Sequence, residues 1–238
     1  MNNALVVEAM SVEAVSETDV LVRFNATLSP ALIQQLRHWQ LLLQQQLSVA
    51  LIDSVLAYRS LLLCFSPQDP RSPQQRVLLV KQQLEQLMAL PPRHQTQHQT
   101  MILPVYYGPE AGADFTAVCQ KIQLSAEALI ELHSTQSYYV YALGFSPGFA
   151  FLGELPAALQ LPRRKTPRNS LPAGSVAIAH NQTAVYPQPS PGGWHLIGRC
   201  PTSLFSTDKS PPNLLSIGDE VKFQPISRDE FLQLGGEL

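Results

Sequence analysis

The sequence predicts an α+β protein in which a small α/β sandwich is followed by a compact, turn-rich β-barrel or sandwich. Three observations predict it. Composition shifts near residue 91: the residues before it are rich in Leu and Gln and hold four of the twenty prolines, whereas residues 147–212 hold eleven. Apolar residues recur at helical spacing twice in the first part. In the second part, short apolar runs alternate with Gly and Pro turns, the texture of a small closed or two-layered sheet. The polar, unperiodic "PPRHQTQHQT" separates the two textures. The organisation expected is a first domain over 1–90, a linker over 91–100 and a second domain over 101–238.

In chain order, Val20 to Phe24 reads as a strand. Ser29-Pro30 then offers a cap followed by proline at the first helical position, and Leu32, Ile33, Leu36, Trp39 and Leu43 form an apolar stripe. Val49 to Tyr58 and Ser60 to Phe65 read as strands. A second helix opens at Ser72-Pro73, where Ser72 and Gln75 have the spacing of a capping box; Val77, Val80, Leu84, Leu87 and Met88 make its apolar face. Met101 to Tyr107 is expected to return as the last strand of this sheet, giving the β-α-β-β-α-β order of a ferredoxin-like split βαβ unit. The second part opens with two short helices, one capped by Asp114 and one by Ser125. Glu127 and Glu131 on the latter oppose a role in binding nucleic acid. Strands follow at Tyr138–Ala142, Ser175–Ala179, Ala184–Tyr186, Trp194–Gly198 and Val221–Gln224.

The bulk properties exclude several classes. The 238 residues carry a formal charge of −2, too near balance for a default polyanion binder. Cys64, Cys119 and Cys200 have neither metal-ligand nor disulfide-framework spacing, which fits a reducing compartment. "MNNALVVEAMSVEAV" lacks the basic flank and apolar run of a secretory signal, and no apolar run is long enough to cross a membrane. The expectation is a cytoplasmic protein with no nucleic-acid or membrane partner. No triad, phosphate-binding loop or metal cluster is written in the sequence. "GFSPG" is not a nucleophile elbow, because Pro147 spoils the strand-to-helix turn.

Four features remain. "PRRKTPR" carries Arg163, Arg164, Lys165 and Arg168 on a loop stiffened by prolines, suited to carboxylate or phosphate or else simply solvated. "SPGGWHLIGR" combines Ser190 with Gly192 and Gly193, whose backbone can approach a ligand closely, adopt positive φ or form an anion nest; Arg199 can aim at the same place. In "AGSVAIAHNQT", Ser175, Gln182 and Thr183 are neutral hydrogen-bonding groups able to orient an amide or to satisfy loop backbone. His133 ends a helix whose dipole favours the protonated ring; it is either a proton-handling residue or a cap. Phe145, Phe149, Phe151, Tyr186 and Trp194 run through the Gly/Pro-rich stretches, and rings demand burial, so these turns are ordered. They are expected to meet at one surface and shape a site.

"YGPEAGADF", "YYVYALGFSPGFAFLGELP" and "PRRKTPRNSLPAGSVAIAHNQTAVYPQPSPGGWHLIGR" together resemble the family of the B subunit of bacterial 5-oxoprolinase. It is also known as allophanate hydrolase subunit 1 or the Kip-type kinase-inhibitor family, and is similar to the C/D part of urea carboxylase carboxyltransferase domains. The resemblance covers residues 100–225 and, more loosely, the first 90. His180 and Ala184 stand where glycines are usual, Ala150 where proline is frequent and Cys200 where threonine is common. The resemblance implies a cyclophilin-like barrel for the second domain. It also implies a subunit that, with the A and C subunits, opens 5-oxoproline to L-glutamate using ATP and Mg2+ shared with a partner, and that is inactive alone. On that implication His133, Arg168 and Arg199 are the expected catalytic residues. Arg163, Ser175, Gln182, Thr183, Ser190, Gly192 and Gly193 are expected to bind substrate or phosphate, with no resident metal. The same resemblance leaves open an inhibitor of a sensor histidine kinase, or a carboxyltransferase module served by biotin in trans. Self-association is expected where the partner is missing.

Overall fold

The computed structural model of the chain describes residue 7 and residues 9–90 and 100–238. Of the expected linker, 91–99 lies outside the described residues. The chain divides into two compact units, Met1–Gln97 and His98–Leu238.

The first unit contains β1 (Ala9–Ala14), β2 (Asp19–Asn25), α1 (Pro30–Gln46), β3 (Leu51–Ala57), β4 (Ser60–Phe65) and α2 (Pro73–Met88). Both helices start as their caps dictate. The Ser29 hydroxyl accepts from the Leu32 amide, and Ser72 and Gln75 close a reciprocal capping box. The sheet is antiparallel in the order β1-β2-β4-β3. Val20, Val22, Phe24, Leu61, Leu63 and Phe65 are buried with Leu32, Ile33, Leu36 and Leu43 of α1 and Val80 and Leu84 of α2. One expectation is corrected. The strand beside β2 comes from the N-terminal side of the unit, as β1, and not from Met101–Tyr107. "AMSVEA" is short and weakly apolar, so its local pattern does not announce a strand; pairing along the whole of β2 makes it one.

The second unit contains β5 (Thr100–Tyr107), α3 (Phe115–Ile122), α4 (Ala126–Ser134), β6 (Tyr138–Leu143), β7 (Ala150–Gly153), β8 (Arg168–Leu171), β9 (Ser175–Ala179), β10 (Gln182–Val185), β11 (Ser190–Gly192), β12 (His195–Arg199), β13 (Glu220–Pro225) and α5 (Arg228–Gln233). Seven strands close a ring in the order β6-β13-β5-β12-β9-β10-β7, with β7 pairing back onto β6. Every pair is antiparallel except β13 with β5, which run parallel from Glu220 opposite Thr100 to Pro225 opposite Val105. Strands β8 and β11 form a separate two-stranded ribbon.

Side chains alternate across this wall. Val176 and Ile178 of β9, Val185 of β10, Ile197 of β12, Leu152 of β7 and Leu103 and Val105 of β5 belong to one cluster with Phe115, Val118 and Leu129 of the two short helices. Strands from opposite sides of the ring supply it, so it fills the barrel. The neighbouring residues of the same strands face outward, and there they are small. Ala177, Ala179 and Ala184 lie beneath Phe149, Tyr186 and Trp194, with Leu171, Leu196 and Phe151 alongside. Register aligns Leu196, Ala177 and Ala184 side by side. A floor of methyl groups leaves room for a tier of rings.

Candidate functional site

Two polar constellations and one cleft are built on the wall of the second unit. The first lies inside the barrel. His133 is fully buried at the end of α4. Its Nδ1 lies 2.7 Å from the Tyr107 hydroxyl of β5 and its Nε2 2.9 Å from the Thr183 hydroxyl of β10, while its ring stacks on Phe223 of β13 at 4.6 Å between centroids. The Thr183 hydroxyl also lies 3.1 Å from the Ala177 carbonyl, to which it donates. Burial pushes the imidazole down to about 3. That corrects the expectation of a protonated ring: desolvation outweighs the helix dipole, and the neutral imidazole pins three strands to a helix.

The second constellation centres on Asp114. This residue precedes α3, yet its side chain makes no capping bond. Its carboxylate instead accepts two bonds from the Arg168 guanidinium, at 2.6 and 2.9 Å, one from the Leu196 amide at 2.9 Å, and a further ion pair from Arg164. Burial alone would raise the carboxyl; the bonds from Arg168 and Leu196 and the charges of Arg168 and Arg164 outweigh it and hold the group ionised. Expecting Asp114 to be a helix cap was therefore wrong, because two cations fixed by β8 and its approach loop compete for the same oxygens and win. The fork ties the β8 ribbon to the start of α3 and to β12.

The cleft lies on the outer face. Phe145, Phe149, Phe151, Arg163, Tyr186, Pro191, Gly192, Gly193 and Trp194 enclose about 90 Å³. Phe149, Tyr186 and Trp194 are buried, whereas Phe145 is 63% exposed. The rings meet edge to face: Phe149 with Phe145 at 5.2 Å, with Tyr186 at 5.2 Å and with Trp194 at 6.0 Å. Phe145 has φ of 72°, in the left-handed region that costs a bulky residue energy and is found where the surroundings require it. The Tyr186 phenol is pushed up to about 12 by burial, against a smaller opposing effect of Arg163; it stays a hydrogen-bond donor at any ordinary pH. Gly192 is needed for packing: an added Cβ would stand 2.5 Å from Leu171 Cδ1 and 2.6 Å from the Tyr186 hydroxyl oxygen. Neither Gly192 nor Gly193 has positive φ, so the expected conformational role of this pair is not the one used.

The sequence candidates thus separate. Arg163, Gly192 and Gly193 share the aromatic cleft. His133 and Thr183 lie inside the barrel, and Arg168 is engaged by Asp114. Arg199 does not reach the cleft; it lines another cavity of about 370 Å³ beside Pro172, Pro189, Phe231 and Gly236, where it donates to the Glu237 carbonyl at 2.5 Å. Expecting it to aim at the glycine turn fails because β12 carries its last side chain to the other end of the strand. The Ser175 hydroxyl is spent on the Pro172 carbonyl at 2.7 Å. Gln182 begins β10 opposite Ala179 and Gly153. Ser190 sits on β11 opposite Leu171, its hydroxyl buried without a hydrogen-bond partner among the described residues. Asp114 is the residue the sequence reading undervalued; an acid between Ala113 and Phe115, fifty positions before an arginine cluster, carries no local mark of that pairing.

Among the described residues no cluster of three or more His, Cys, Asp or Glu side chains is placed to hold a metal ion, and no helix is long and apolar enough to cross a membrane. Asp114 engages both Arg164 and Arg168, so a single carboxylate is shared by two guanidinium groups and the cluster keeps a net positive charge.

Comparison with known proteins gives concordant matches. The family described as carboxyltransferase domain, subdomain C and D, matches residues 10–215. A Bacillus subtilis protein named as the B subunit of 5-oxoprolinase is 35% identical over 92% of this chain and 94% of its own length. A Haemophilus influenzae protein of the same name is 39% identical over 90% and 97%. The crystal structure of the protein TTHA0988 superposes with a TM-score of 0.74 at 34% identity, over 89% of this chain and 40% of that one.

Proposed function

The chain belongs to the family of carboxyltransferase domains, subdomains C and D, and on that footing we propose that it is the B subunit of an ATP-dependent 5-oxoprolinase. Together with the A and C subunits it would open 5-oxoproline to L-glutamate. The observation that carries this reading is the likeness, over nine-tenths of both lengths, to two proteins named as the B subunit of 5-oxoprolinase. We assign the reaction to the cytoplasm, where ATP is available.

A lactam is a poor electrophile, and ATP supplies the driving force for opening it. Nucleotide and Mg2+ are assigned to a surface that partner subunits complete, since Arg164 and Arg168 of the basic loop already share Asp114. What the chain supplies is binding and orientation. Asp114 is already committed to Arg164 and Arg168, which leaves Arg163 and Lys165 as the cations of that loop with no ion pair among the described residues; of the two, Arg163 lines the aromatic cleft. The fixed Asp114–Arg168 fork holds the loop that presents it. Rigid support of this kind, and not a nucleophile, is the contribution expected of a subunit that is inactive alone.

The test is reconstitution. With 5-oxo-L-proline, ATP and Mg2+, the chain mixed with the A and C subunits should release glutamate, and omission of any one should abolish it. Glutamate formed at an undiminished rate without this chain, or none formed by the full mixture, would reject the reading.

A further inference from the structure

The aromatic cleft carries an unused set of polar groups. The Arg163 guanidinium has no ion pair or hydrogen bond among the described residues, and neither the Tyr186 hydroxyl nor the Trp194 indole N–H has a hydrogen-bond partner among them. Both residues are nearly fully buried, but their polar tips are not: the Tyr186 hydroxyl and the Trp194 N–H stay open to the cleft, as amphipathic rings do where one end is packed and the other meets solvent. Guanidinium and indole N–H only donate, and a phenol held protonated donates as well. Three donors therefore line a cleft whose remaining walls are the rings of Phe145, Phe149 and Phe151 and the Gly192–Gly193 backbone. Such a site calls for a ligand with an apolar ring, oxygens that only accept, and a negative charge.

Size narrows the class further. Cavities for drug-sized ligands span about 300–1,000 Å³; this one holds about 90 Å³, room for a single small ring. Phe145 stands over the cleft with its side chain largely exposed and its backbone in the left-handed region. Its ring faces those of Phe149 and Tyr186 edge-on, so it forms the outer wall that a bound ring would press against.

We propose that this cleft is the binding site for a small cyclic amide bearing a carboxylate, held between the aromatic walls with Arg163 paired to its carboxylate. The remaining donors, Tyr186 and Trp194, serve the amide carbonyl. This deepens the 5-oxoprolinase reading and rests on it for the identity of the lactam, but not for the class of ligand.

Binding of 5-oxo-L-proline to the full chain should be followed by ligand-observed NMR, with 2-pyrrolidinone as the analogue lacking the carboxylate. The KM for 5-oxo-L-proline should be measured in parallel in the complex with the A and C subunits. Arg163→Gln should weaken binding and raise KM by about tenfold to a hundredfold, the range of one charge-assisted pair, and Arg163→Lys should recover part of it. Phe145→Ala should raise KM more than it lowers kcat. For the wild type, 2-pyrrolidinone should bind at least about tenfold more weakly than 5-oxo-L-proline. If the complex releases glutamate but neither variant changes KM or binding, the cleft assignment falls and the function stands. If the complex releases no glutamate yet the chain binds 5-oxo-L-proline in an Arg163-dependent way, the function falls and the cleft assignment stands. Equal binding of the acid and of 2-pyrrolidinone, or variants that disrupt assembly with the partner subunits while leaving binding intact, overturns the assignment. Both variants alter side chains exposed at the cleft mouth, so folding should be preserved; circular dichroism and the melting temperature verify it.

Discussion

The two faces of the barrel wall use the same strands to opposite ends. On the inner face the polar atoms are spent on one another: His133 engages Tyr107 and Thr183, and Thr183 in turn reaches the Ala177 carbonyl. On the outer face, one residue along on β10, the methyl of Ala184 supports a tier of rings whose polar atoms are left over. The arginines repeat the contrast within a single loop. Arg168 is locked in a fork on Asp114, while Arg163, five positions earlier, has no counter-ion among the described residues. Residue type does not distinguish a structural cation from a binding one; the presence of a buried acid within reach does.

The largest effect should come from the inner face. Because the folded ring titrates at about 3 against an ordinary 6.5, the unfolded chain binds a proton there in the intervening window and the folded chain does not. The contribution is therefore intact above pH 6.5 and lost as pH falls toward 3, about 3 kcal/mol between pH 6.5 and 4. Urea denaturation of wild type and His133→Gln across that range should show a steeper acid loss in the wild type; parallel curves would contradict a neutral buried imidazole. Next comes Asp114→Ala, which strands two half-buried guanidinium groups and the Leu196 amide. It should cost about 2–4 kcal/mol, read as a lowered urea midpoint at constant m-value. Gly192→Ala should cost about 1–3 kcal/mol by driving a methyl into Leu171 and Tyr186, and near-UV circular dichroism should register the disturbed rings. The smallest effect sharpens the contrast most: Arg163→Gln should leave stability within about 0.5 kcal/mol. A larger loss would mean that Arg163 has a structural partner after all and that the two faces do not differ in this way.

How much of this was legible depended on range. Caps and helical stripes are local, and Ser29, Ser72 and Ser125 each accept the amide bond their sequence context promises. The short, turn-bounded strands of the second unit were likewise readable, as was the meeting of its aromatic turns at one surface. Strands β7, β8 and β11 were missed. "AFLG", "RNSL" and "SPG" have no pattern of their own and are strands only because partners lie beside them. Met101–Tyr107 was correctly read as a strand but given to the wrong sheet, since its parallel partner begins 120 residues later, at Glu220. For the candidate site, charge and glycine content pointed to the right turns, yet the sorting of four arginines among three environments required knowing where Asp114 and the Ala177–Ala184 floor lie.

The parallel pairing of β13 has a consequence for how the protein is made. This strand stands between β5 and β6 in the ring, so until it emerges both of those strands keep a raw edge open to other chains. Synthesis from residue 107 to residue 225 at about 5–20 residues per second leaves β5 waiting for roughly ten seconds. The nascent barrel is a cask missing a stave from its middle. A ribosome that stalls before Glu220 releases not a trimmed protein but an unclosed one, fit for a chaperone or a protease and for little else.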